Sequence, residues 1–278
     1  MSGLIDVAIQ QFADQFDIQF QASKMVLSGA FKEYRGLMGD SFKAPVIEEV
    51  LMQTRGAYNT NIPAQIPANA FKTISFENYV TNLPIDDFEK FVTNANVRAA
   101  YSQIAVNALN RTQDQVGIDT LEATTTTNEV AVGTTNLPIE KIREAAYYLD
   151  LQNVPSEDRY WIGTASQKKS LLGETETTSS DYAAIKALVQ GQIDSFYGFK
   201  FIWIGNRTEG GLTKTVNSRV NFAWHKSALA FGYQMNPTVV VERIASAQSW
   251  SIFPKVRFGA AEILPKGIVK ITCDESAA

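Results

Sequence analysis

A proline-free stretch between Pro84 and Pro138 constrains this chain most. Within it, Val97, Tyr101, Ile104, Ala105, Ala108, Leu109, Thr112 and Val116 recur at steps of three and four residues. That spacing places them on one face of an α-helix, predicted over residues 86–121. A helix of about 25 residues runs about 40 Å, longer than the average globular helix. Such a helix acts as a spine across which other elements lie. The β-branched run at residues 124–127 ends it.

The flanking segments are of mixed kind. In residues 4–20, Ile5, Ile9, Phe12, Phe16 and Phe20 recur at helical spacing. Two readings stay open there: an arm that docks its Phe stripe on a neighbour, and a helix packed on its own domain. Residues 56–69 carry Asn59, Asn61, Pro63 and Pro67, a composition suited to an extended excursion. In residues 71–80, Ile74, Phe76 and Val80 alternate with Thr73, Ser75, Glu77 and Tyr79, which predicts a strand. Excursion and strand together suggest a ribbon standing off the body. Further on, Asn136 is read as the cap of a helix whose buried face is Ile139, Ile142, Ala146 and Leu149. Residues 173–181 read as an acidic loop, with Ser180 or Asp181 capping a further helix that ends near Gly191 and Gly198. Strands are predicted at residues 160–162, 200–204, 219–233, 238–244, 250–258 and 267–273. In one of them Trp250, Ile252, Val256 and Phe258 share a face. The strands do not follow a regular βαβ series, so the class is α+β.

Composition excludes several chemistries. The single cysteine, Cys273, rules out an intrachain disulfide and thiolate zinc sites, and the single histidine, His225, a two-histidine metal site within one subunit. A net charge of −4 argues against a basic nucleic-acid grip. Lys24, Lys32, Arg35 and Lys43 are too sparse and too mixed with apolar residues to form a nucleic-acid groove. No Gly-rich phosphate loop, nucleophile elbow, zincin or EF-hand pattern occurs. His225 and Cys273 read as structural strand residues. Asp86, Asp87 and Glu89 could work as paired carboxylates, but they read more simply as the acidic entrance of the spine helix. Glu174, Glu176 and Asp181 read as a solvated loop, or at most a weak cation site. The N-terminus lacks the pattern of a signal peptide, and no apolar run approaches the roughly 20 residues that cross a bilayer, so a soluble chain with no membrane partner is expected.

The order of these elements carries more information than any residue. Several stretches add to it: Phe20-Gln21-Ala22-Ser23-Lys24 after the arm, Leu83-Pro84-Ile85-Asp86-Asp87-Phe88 after the ribbon, and residues 108–116 with Arg111 and Asp114 in the spine. Asp181-Tyr182, Leu188-Val189-Gln190-Gly191-Gln192-Ile193 and Tyr197-Gly198-Phe199 follow, then Trp224-His225-Lys226-Ser227-Ala228 and the turn Phe258-Gly259-Ala260. From about Phe20 to Thr272 the chain resembles the major capsid proteins of tailed bacteriophages, with the Hong Kong 97-type fold.

That resemblance implies an N-terminal arm (1–45), an extended loop or ribbon (46–85), a peripheral-domain spine helix (86–124), an axial domain (125–237) and terminal strands returning to the peripheral domain (238–278). It implies a subunit of hexamers and pentamers in an icosahedral shell around double-stranded DNA, located in the virion and assembled in the host cytoplasm. The expected partners are a separate scaffolding protein, a portal protein, where one exists a decoration protein, and DNA contacted without sequence preference. A separate scaffolding protein is expected because the spine begins near Asp86, which leaves no room for a long scaffolding segment ahead of it. No catalytic residue, metal or cofactor carries over, and no Lys–Asn crosslinking pair aligns. The expected assembly contacts are Phe12, Phe16, Phe20, Arg55, Lys72, Phe76, Asp181, Gly198 and Arg257. Two alternatives stand beside this reading: an encapsulin-type cellular shell protein, and a soluble enzyme working through Asp86, Asp87 or Glu89.

Overall fold

The structure is a computed structural model that describes residues 24–52, 54, 64–86, 97–173 and 195–277. The arm residues 4–20 and the helix expected after Asp181 lie outside them. The chain begins with β1 (Lys32–Arg35), β2 (Ser41–Ile47), β3 (Asn69–Ser75), β4 (Glu77–Val80) and β5 (Leu83–Asp86). The long helix α1 (Val97–Glu122) follows, then β6 (Glu129–Val130), α2 (Ile139–Leu151), β7 (Arg159–Thr164) and α3 (Ala165–Gly173). The remainder is β8 (Ser195–Phe196), β9 (Phe199–Ile204), β10 (Lys214–Thr215), β11 (Ser218–His225), β12 (Leu229–Ile244), β13 (Ser249–Glu262) and β14 (Ile268–Asp274).

Helix α1 has 26 residues and spans about 39 Å. The expected start at Asp86 is corrected, because Leu83–Asp86 is drawn into strand pairing with residues 249–252 of β13. Asp86 therefore ends a strand and does not open the helix, while Asp87 and Glu89 lie outside the described residues. Asn136 likewise caps nothing. The α2 N-cap is Pro138, and the Asn136 amide instead donates to Ser166 and accepts from Gln167 of α3.

Two sheets flank the spine. The first has the order β1-β12-β13-β4, with β5 also on β13, and is antiparallel except at β1. The second has the order β6-β14-β11-β7-β9-β8, with β10 on β11. Period-two alternation divides the side chains of the second sheet between two cores. Ile162, Phe222, Trp224 and Ile268 join Leu27, Phe31, Ile118, Leu121 and Phe231 on the spine side. Trp161, Ala223, Val269, Ile271 and Cys273 join Leu137, Ile142 and Leu149 under α2. Burial on both faces explains why residues 219–233 read as apolar throughout. Within that run the chain passes from one sheet to the other through the 3₁₀ turn Lys226–Ala228, so residue 237 falls inside β12. The final strand β14 pairs with β11 in the second sheet.

Strands β2 and β3 pair antiparallel as a two-stranded ribbon, Ser41 opposite Ser75 and Ile47 opposite Asn69, while residues 55–63 of the expected excursion lie outside the described residues. Residues 71–80 are not one strand. The chain breaks at Phe76, whose N–H donates to the Asp40 carbonyl, and β4 then joins the first sheet, leaving Val80 exposed. The expected turn at Gly259 is the middle of β13. Gly259 pairs directly with Gly232, and the two form a notch in the sheet. Ile74 and Phe76 lie on it, with Ala44 and Ala230 beside them. A Cβ on Gly259 would overlap the Ser75 carbonyl oxygen, and one on Gly232 would meet Phe76 at 2.9 Å. Gly259 lets the ribbon's backbone approach the sheet this closely, and Gly232 leaves room for the Phe76 ring.

Gly259→Ala should cost about 2–3 kcal/mol of stability, since the clash is with backbone and cannot be relieved by a rotamer change. Gly173→Ala, where nothing lies within 4 Å, should change stability by less than about 0.5 kcal/mol. Denaturant unfolding of both variants checks the contrast.

Candidate assembly surfaces

Among the described residues, no group of three or more His, Cys, Asp and Glu side chains converges. His225 caps the 3₁₀ turn where the chain changes sheets, its Nδ1 accepting from the Ser227 N–H at 3.2 Å. Burial lowers its pKa. Cys273 is fully buried, and burial pushes its thiol up to about 11, which leaves it inert as a nucleophile. A groove of about 320 Å³ lies between α1 and the first sheet, lined by Tyr79, Val80, Leu109, Thr112, Pro254 and Val256 among others. It holds no convergent acid–base pair.

Instead, buried polar groups act as joints between elements. The first is Asp114 in α1, whose carboxylate Oδ1 accepts from the Val26 and Leu27 N–H groups at 2.9 and 3.1 Å. Its Oδ2 accepts from Arg207 at 2.9 Å. Burial raises its pKa in spite of these donors. The loop bearing Arg207 crosses the outer side of α1, where Glu209 binds Arg111 and Thr112. A second joint is Glu262 at the end of β13. It accepts from the Thr125 N–H at 2.8 Å and from the Thr124 and Thr125 hydroxyls, with Lys72 of the ribbon at 3.9 Å. The third is Glu275, clasped by Arg219 Nε at 2.9 Å, Lys214 Nζ at 2.6 Å and Gln167 Nε2 at 3.3 Å. Burial alone would raise its pKa, but those donors outweigh burial and bring it down to about 2.

The exposed counterpart is the ribbon. Beyond its seated base, Ile47 is 68% exposed, Phe71 62% and Met52 100%, with Leu51 and Ile66 also in solvent. Of the residues expected at assembly contacts, Lys72 lies on the ribbon and Phe76 is buried in its seat. Arg257 sits on β13 and binds Asp40 at 2.8 Å, and Gly198 holds the β8–β9 turn at φ +82°. Phe12, Phe16, Phe20, Arg55 and Asp181 lie outside the described residues. Asp114, the Gly232–Gly259 pair, Glu262 and Glu275 did not stand out in the sequence as joints. Only Asp114 left a local trace, as an acid one turn beyond Asn110 on a helix whose buried face holds Leu109 and Ile118.

A spine helix, a seated ribbon and two sheets tied together by carboxylate clasps make up an architecture of the Hong Kong 97 type. The comparisons agree. A chain from Mycobacterium phage Che8 superposes with a TM-score of 0.77 at 18% identity, over 97% of each chain. The capsid structure of cyanophage P-SCSP1u gives 0.77 at 17% identity, over 98% of this chain and 95% of that one. The head structure of Helicobacter pylori bacteriophage KHP40 gives 0.75 at 9% identity, over 96% of each. No curated protein matches the sequence. Residues 4–275 match the family model described as phage capsid protein, and the chain belongs to that family. It is a structural major capsid protein; neither the encapsulin nor the carboxylate-enzyme alternative is favoured.

Asp114→Ala should destabilise the subunit by about 3 kcal/mol, because Arg207 and two N–H groups lose their acceptor together. Equilibrium unfolding tests this. Glu275 predicts an acid window. With its pKa below the ordinary 4.5, its contribution is complete above about pH 4.5 and disappears as pH falls through about 2. The stability difference between the parent and Glu275→Gln should therefore shrink steadily across that window when unfolding is followed against pH.

Proposed function

We propose that this chain assembles as hexamers and pentamers into an icosahedral shell that encloses double-stranded DNA in a virion, after assembly in the host cytoplasm. The observation that carries this is the ribbon: rigidly seated at Gly232 and Gly259, yet apolar and uncovered beyond its base. An exposed apolar extension on a fixed base fits a surface that another copy covers. In this reading the second sheet with α2 and α3 is the axial domain, and the spine with the β12–β13 hairpin is the peripheral domain. Lys72 and Arg257 flank the ribbon seat, while Gly198 turns the far end of the second sheet. Phe12, Phe16 and Phe20 of the arm and Arg55 of the ribbon reach neighbouring copies, and Asp181 lies at a contact within the capsomer. The partners are a scaffolding protein, a portal protein, where one exists a decoration protein, and DNA held without sequence preference. The mild acidity suits a shell that must load and release DNA rather than grip it. The chain carries out no catalysis and uses no cofactor.

Negative-stain microscopy of the native material should show closed particles, and denaturing gels should show a single monomer band. Phe71→Ser combined with Ile47→Ser should leave the unfolding midpoint within about 2 °C, because both side chains are in solvent. The same variant should fail to form particles, which is read by sedimentation. Particles formed as readily as by the parent would overturn the ribbon's role.

A further inference from the structure

Val216 is the most strained exposed apolar residue among those described. It occupies the two-residue loop between β10 and β11, closed by the Thr215–Ser218 pair. Its φ is +56°, whereas Asn217, the second loop residue, is not at positive φ. That pattern belongs to hairpin turns whose first central position is normally glycine. A β-branched residue is a genuine outlier there, because its Cβ crowds its own backbone. Single exposed apolar residues need no explanation, but one held in the left-handed region does. Val216 is 84% exposed, so contacts within its own subunit do little to compensate the strain.

The turn is also stiff. Glu275 donates its N–H to the Asn217 carbonyl at 2.8 Å, and Val220 donates to the Thr213 carbonyl at 3.2 Å. Lys214 and Arg219, the cations flanking the loop, are both tied to Glu275. The tip therefore presents methyl groups on a fixed base whose two flanking cations are both engaged by one carboxylate below it, which suits an apolar socket. We propose that Val216 is a contact knob covered by a second copy of this chain on assembly. The occupant follows from the shell reading, on which this rests: in a closed shell each copy is surrounded by others.

Labelling reads this directly. Cys273 is fully buried, so Val216→Cys places the one accessible thiol among the described residues at the knob. Maleimide should label it rapidly in dissociated subunits and at least tenfold more slowly in particles. Val216→Gly supplies the second arm. Removing the strain should hold or raise the subunit's Tm by about 2 °C, while the concentration needed for particle formation rises several-fold. Val216→Ile should assemble as the parent does. Equal labelling in both states, or Val216→Gly assembling at the parent's concentration, would overturn the knob. A parent chain that forms no particles under any assembly condition would instead overturn the shell reading itself.

Discussion

The carboxylate of Asp114 holds together parts of the chain that share little else. A turn at residues 24–31 must sit between the two sheets, where Leu27, Ala30 and Phe31 fill the space beside Phe231 and Trp224. Such a turn brings backbone N–H groups into the interior, and each needs an acceptor. Asp114 supplies one for Val26 and Leu27, and Trp224 Nε1 donates to the Ala30 carbonyl at 2.9 Å. Arg207 balances the charge from the opposite direction and brings its loop across the helix. Spine, first turn and second sheet therefore close on one buried ion pair. Gly117, one turn along, has room only for a hydrogen, since a Cβ would stand 2.6 Å from Leu27.

The pattern of the spine made its existence legible, though not its phase. Ile104, Ala108, Thr112 and Val116 are only partly buried, whereas Ala105, Leu109, Ile118 and Leu121 form the buried face. The Arg207–Glu209 loop covers part of the helix's outer side, which blurs a single apolar stripe. Strand alternation in residues 250–258 was legible because Ile252, Val256 and Phe258 bury one face. The glycine notch was not, because Gly232 and Gly259 meet only through the register of a long hairpin. Helix α3 was also invisible: its buried side chains include Gln167, which looks like surface until Thr164, Asn136 and Glu275 surround it. Asn136 misled as a cap because its partners lie about thirty residues away in α3.

A few ionic groups clamp loops inside an otherwise apolar interior, while several large apolar side chains stay on the exterior. Lys141 is buried with its ammonium within hydrogen-bond reach of the Val132, Thr135, Asn136 and Thr272 carbonyls, and burial lowers its pKa. Arg159 binds the Pro155 and Val154 carbonyls and Asp150. These clamps are directional, so they fix loop positions that apolar packing would leave loose. The ribbon and the Val216 tip carry exposed apolar surface instead.

That division matters because the ribbon acts as a lever. Each of its strands has seven residues, about 23 Å of extended chain. A tilt of about 5° at the base moves the far end by about 2 Å, and a gap of 1 Å already forfeits much of a van der Waals contact. Apolar contacts at the end of such a lever select one geometry only if the base does not give. The backbone seat on Gly259, the side-chain packing on Gly232 and the Glu262 clamp beside them are close-packed and directional in the way this requires. Rigidity at the notch, rather than chemistry at the tip, therefore sets how accurately the subunit can place the far end of its ribbon.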